Sequence, residues 1–124
     1  MAFTVDDNGN ITLIQGDSGD YTITGIQVLD EANWNSYFAI QNSNRKPVGN
    51  EIQSIISNGI STFKITSSLT DNLNVPNDQE TETYYFGIKL VNNITGEEDT
   101  LMIAGGTFGT LNTITVHPRK VKGA

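Results

Sequence analysis

The residues of this chain best suited to chemistry stand in Gly16-Asp17-Ser18-Gly19, directly after the strand-like run Ile11-Thr12-Leu13-Ile14-Gln15. A serine in a glycine-flanked turn at the end of a strand is a setting in which a hydroxyl can act as a nucleophile. That hydroxyl is weak at neutral pH and needs a general base in hydrogen-bond reach to take its proton. The chain has one histidine, His117, as the candidate base. The same four residues are also turn formers, because glycine supplies positive φ and Asp and Ser side chains bond their own backbone.

Two hydrolase patterns can be tested against these residues. After a strand, Gly-Asp-Ser resembles the nucleophile block of the SGNH esterases, whose pattern has an aspartate three residues before its histidine; here that position is Ile114. Gly-Asp-Ser-Gly resembles the block of trypsin-like proteases, which continues with a second glycine; here Asp20 follows. An acid two residues beyond the serine would oppose a developing oxyanion. The turn reading is therefore the expectation, with an acyl-ester hydrolase as the chemical alternative.

Other motifs point less firmly to chemistry. Asp6, Asn8 and Asn10 have the spacing of the first ligands of a helix-loop-helix calcium site, but Ile11 replaces its glycine, and turn residues account for the run. Glu97-Glu98-Asp99 beside Gly96 is read as solvated surface before a cation site. Asn10-Ile11-Thr12 and Asn93-Ile94-Thr95 match the glycosylation sequon, which matters only in a secretory path. No catalytic residue, metal ligand or cofactor is assigned.

The 124 residues suit one domain, with a core large enough to need no staples. There is no cysteine, so neither disulfides nor thiolate metal sites are available. No apolar run has the length of a membrane span, and Met1 to Asp7 lacks the order of a signal peptide, so a soluble protein made in a cytoplasm is expected. Residues 1 to 116 hold all 14 acidic side chains against Arg45, Lys46, Lys64 and Lys89. Such an acidic body repels phosphate backbones and makes nucleic acid an unfavourable partner. Arg119, Lys120 and Lys122 reverse the balance after His117. They are candidate partner contacts, able to dock on the acidic body of an identical neighbour; the alternative is a frayed terminus.

Elements that would position these residues are strands almost throughout. Tyr84, Phe86, Ile88 and Leu90 alternate with Tyr85, Gly87, Lys89 and Val91, giving one uniformly apolar face. Trp34, Phe38 and Ile40 share a phase, with Tyr37 and Ala39 on the other. Ile11 with Leu13, Tyr21 with Ile23, Ile26 with Val28, Ile52 with Ile56, Phe63 with Ile65, and Leu101 with Ile103 extend the pattern. Asn8-Gly9 and Asn58-Gly59 are signals for two-residue hairpin turns, and Asn93 to Gly96 links two further strands. One helical turn is expected at Leu69 to Leu73, capped by Ser68 or Thr70. The fold expected is all-β: a single immunoglobulin-like antiparallel β-sandwich of about 7–9 strands, with a short N-terminal arm (1–5) and a basic C-terminal tail (117–124).

Two aromatic roles follow from that architecture. Tyr84, opening the penultimate long strand after a polar loop, is placed to bond a backbone group upstream and tie the loop to the sheet. Trp34 suits the space between the sheets; on an exposed face, Trp34, Tyr37 and Tyr85 would instead make a sugar-stacking platform.

The order of segments carries a resemblance. The strand leading to Gly16-Asp17-Ser18, then Thr70-Asp71-Asn72-Leu73, then Tyr84-Tyr85-Phe86-Gly87-Ile88, then Asp99-Thr100-Leu101 with Gly105-Gly106-Thr107-Phe108, resembles small tailed-bacteriophage virion proteins. In particular it is similar to the immunoglobulin-like N-terminal domain of phage baseplate upper proteins. The resemblance spans residues 11 to about 116. It implies a non-enzymatic structural protein of the virion, a baseplate or tail adaptor or a head decoration, assembled in the bacterial cytoplasm. Its partners would be other virion subunits, including copies of itself, with no nucleic acid and no membrane. The alternative expectation is a carbohydrate-binding sandwich that touches bacterial surface glycans.

Overall fold

A computed structural model describes residues 3–101 and 112–119. Among them the chain forms β1 (Phe3–Val5), β2 (Ile11–Ile14), β3 (Gly19–Ile23), β4 (Trp34–Gln41), β5 (Ile52–Ile55), β6 (Ser61–Ile65), α1 (Ser67–Thr70), β7 (Glu82–Asn92), β8 (Glu98–Leu101) and β9 (Asn112–His117). The larger sheet has the order β1-β2-β9-β7-β4-β5, and β3 pairs β6 in the second. One edge of β7 takes β4, while β8 and β9 share the other: β8 faces Ile88 to Val91 and β9 faces Glu82 to Phe86. This is the expected all-β sandwich, a larger sheet packed over the two-stranded β3-β6.

Alternation decides which side chains enter the core. Tyr84, Phe86, Ile88 and Leu90 of β7 are buried with Phe38 and Ile40 of β4, against Tyr21, Ile23, Phe63 and Ile65 of the small sheet. Four rings join the layers: Phe38 stacks on Phe86 at 4.8 Å, Tyr21 meets Phe86 edge-on at 5.2 Å, and Phe63 leans on Phe38 at 5.6 Å. Ser36 and Ser61 cross the same interface as a fully buried hydroxyl pair 2.6 Å apart, and Ser61 also donates to the Ile55 carbonyl. Each buried hydroxyl is thus satisfied, which removes the cost of placing it among apolar groups.

Several expectations are corrected. The larger sheet is mixed, because β2 runs parallel to β9. Pairing with β7 sets the direction of β9, and β2 covers its free edge while heading for the crossover to β3. Phe3 to Val5 are no arm: they pair with β2, and Phe3 is buried; Met1 and Ala2 lie outside the described residues. The first hairpin closes through a three-residue loop, with Gly9 alone left-handed and bonded to the Asp6 carbonyl. Asn58 and Gly59, both at positive φ, do form the two-residue turn expected there. The helical turn starts earlier, with Thr66 as its cap, since the Thr66 hydroxyl accepts from the Leu69 amide. Ile26 is buried but belongs to the β3–β4 connection, its amide donating to the Gly59 carbonyl. Ile103, Gly105, Gly106, Thr107 and Phe108 lie outside the described residues.

Tyr84 takes the corner role. Its hydroxyl donates to the Asn74 carbonyl at 2.8 Å, tying the long loop before β7 to the sheet. Tyr21 does the same for the first hairpin, donating to the Gly9 carbonyl at 2.8 Å. Burial, with the Asp6 carboxylate as the lesser cause, pushes the Tyr21 hydroxyl up to about 12. The unfolded chain ionises near 10. Its contribution to stability is therefore complete below pH 10 and is lost as pH rises through 12, with Tyr84 acting in the same sense. In urea titrations at pH 8, 10 and 11 we expect stability to fall across this window, and Tyr21→Phe to flatten the fall; an identical pH slope in the variant would contradict this account.

Candidate functional site

The Gly16–Gly19 segment carries the β2–β3 crossover between the two sheets, and three of its residues, Gly16, Asp17 and Gly19, have a structural task. Gly16, at φ 91°, is the third residue of a turn closed by the Asp17 amide on the Ile14 carbonyl. That position requires glycine. The Asp17 carbonyl accepts from the fully buried Thr70 hydroxyl at 2.8 Å. At Gly19 the ring of Phe3 lies so close that a Cβ would overlap it. Gln15 completes the fastening, its side-chain amide donating to the Asp71 carbonyl at 2.9 Å.

Ser18 is exposed, and no hydrogen bond links it to His117 among the described residues. His117 ends β9 beside Ile14, where its carbonyl accepts from the Gln15 amide. The local side-chain bonds expected of Asp17 and Ser18 are also missing among the described residues, where the turn is held from outside by Thr70 and Gln15.

The remaining sequence candidates are dispersed. Arg119 pairs with Asp71 of its own chain and lies over Gly16, so it clasps the base of the sandwich; Lys120 and Lys122 lie outside the described residues. Asp6 spends one carboxylate oxygen on the Asn8 and Asn10 amides, and the Asn10 side chain accepts from Asn112 and Thr113. Glu97 accepts from the Thr95 hydroxyl, and Glu98 pairs with Lys89 at 3.6 Å. Among the described residues no group of acidic or histidine side chains has metal-binding geometry. Trp34 leaves the supposed aromatic platform: it packs against the core, with its indole N–H donating to the Leu29 carbonyl. Tyr37 and Tyr85 do share the outer face, Tyr37 opposite Lys89 and Tyr85 opposite Gln41.

Two surfaces stand out that these motifs did not indicate. One is the end of the sandwich formed by the β3–β4 connection, the Asn58-Gly59 hairpin and the β7–β8 turn. Leu29 is 88% exposed there, Ile94 75%, Ile55 71% and Ile60 42%. The loops that carry them are cross-tied. Glu31 accepts from the Asn58 and Gly59 amides, the Asn93 amide donates to the Asn33 carbonyl, and the Ile26 amide to that of Gly59. Asp30 and Glu97 flank Leu29 and Ile94 along the chain. The other surface is a trough of about 320 Å³ on the outer face of the large sheet, over Ala39 and Gly87.

No protein-family model matches the chain, and no curated protein does.

The turn reading makes a direct prediction. Thr70→Val keeps the side-chain volume but leaves the Asp17 carbonyl without its donor, and should cost about 1–2 kcal/mol. Ser18→Ala should stay within about 0.5 kcal/mol of the parent, as for other exposed positions. Chemical denaturation of the two variants checks this, and a larger loss at Ser18 would contradict it.

Proposed function

We propose that this chain is a non-enzymatic assembly domain acting through protein–protein contact, as a subunit of a tailed-bacteriophage virion in the sense the resemblance implies. The observation that carries the contact role is the loop end. Exposed large apolar side chains scattered singly are ordinary, but Leu29, Ile55, Ile60 and Ile94 come from three separate stretches of chain that lie at the same end of the sandwich. Concentrated apolar exposure on cross-braced loops is what a docking surface needs, since little ordering entropy remains to be lost on contact. Asp30, Glu97 and Glu98 give the rim an acidic character that favours a basic-edged partner. Repetition in a symmetric particle lets such a modest contact suffice, because each copy is held by several at once.

Leu29→Asp combined with Ile94→Asp tests the assignment. Both side chains are largely in solvent, so the melting temperature should move by no more than a few degrees, as for surface substitutions generally. Incorporation of the variant into particles should drop by an order of magnitude or more relative to the parent. Full occupancy of the double variant would remove the loop end from the assembly contact.

A further inference from the structure

The trough on the outer face supports a second binding role, independent of the assembly reading. Its floor is the register pair Ala39 and Gly87, in the neighbouring strands β4 and β7. One wall is the row Tyr37, Lys89 and Thr100, and the opposite wall holds Gln41 with Pro47 beside it. The walls stand four residues apart along β4, or about 13 Å. The depression therefore runs across the strands, where a chain-like ligand could lie.

Gly87 is the telling residue. Glycine weakens the interior of a strand and marks places where a ligand or another backbone approaches closely. Here its φ is not left-handed, and a Cβ built on it would meet nothing within 4 Å among the described residues. Among the described residues, neither backbone conformation nor packing asks for glycine at this position, and its missing side chain leaves the floor of the trough clear.

We propose that this trough binds a neutral oligosaccharide of pyranose units. A pyranose ring presents apolar C–H faces and a rim of hydroxyls that both donate and accept. The trough offers Tyr37 and Pro47 as apolar walls, and Gln41, Arg45, Glu51 and Thr100 as donors and acceptors around them. Its charges are mixed: Arg45 and Glu51 line it with opposite signs, and Lys89 is already paired with Glu98 while sitting 5.9 Å over the Tyr37 ring. A neutral ligand suits that balance. An extended peptide crossing the strands would bring backbone amides and carbonyls that no sheet edge receives, whereas a sugar chain carries its polar groups where the side chains stand.

The test uses the whole chain, labelled and applied to an array of neutral bacterial cell-wall and capsular oligosaccharides. The strongest hit is then titrated by NMR. Gly87→Val fills the floor with a residue that suits a strand, and Tyr37→Ala removes the aromatic wall. Each should weaken binding at least tenfold, with shifts in the parent mapping to Tyr37, Ala39 and Gly87. Trp34→Phe should bind as the parent does, because Trp34 packs on the core side. Should Gly87→Val fail to fold, Tyr37→Ala and the shift map decide. A silent array overturns the proposal, as do shifts that map elsewhere or a folded Gly87→Val that binds normally. Particle incorporation of Gly87→Val should remain at the parent level, so failure here leaves the loop-end assignment untouched.

Discussion

The structure depends on four aromatic rings, two from each sheet. Phe38 and Phe86 stand on neighbouring strands of the large sheet, and Tyr21 and Phe63 are direct partners in the small one. Their edge-on and offset contacts satisfy the ring quadrupoles and bury large apolar areas, so they set both the spacing and the rotation of the layers. The small sheet has only two strands, and a two-stranded ribbon is marginal in water without a partner layer. It persists because Tyr21, Ile23, Phe63 and Ile65 are buried in one core with the inner face of the larger sheet.

Tethers to that core position everything peripheral. Tyr21 holds the first hairpin and Tyr84 the loop before β7, each through one hydroxyl whose ring is already buried. Thr70 and Gln15 hold the Gly16–Gly19 crossover, and the Ser36–Ser61 pair fixes where the chain leaves β5 for the second sheet. The backbone of a segment with the composition of a nucleophile motif is thereby fastened to the body of the domain. Its glycines serve backbone conformation and close packing with Phe3, while its serine faces solvent.

The two candidate surfaces divide along the same architecture. The loop end is apolar with an acidic rim, a composition suited to another protein. The outer sheet face is polar with an aromatic wall and a cleared floor, a composition suited to a small hydroxylated ligand. Since one lies beyond the strand ends and the other across their middle, occupancy of one leaves the other open.

Much of the fold was legible because alternation is a local property. Tyr84 to Leu90 announced its buried face, Asn58-Gly59 its turn, and Tyr84 its corner bond, each from residues adjacent in the chain. Which strands become neighbours is decided by packing between distant segments, and periodicity is silent on that. So the parallel β2–β9 pair, the placing of Leu29, Ile55, Ile60 and Ile94 at one end, and the alignment of Ala39 with Gly87 came only from the tertiary structure. Trp34 shows the same limit at one residue: its phase placed it with Phe38, apart from Tyr37, but only the folded loop supplied the Leu29 carbonyl that holds its indole against the core. The sequence by itself determined the strands and their inward faces, because side-chain direction follows from backbone geometry. Tertiary structure decided the candidate sites, because a surface is assembled from residues that only folding brings together.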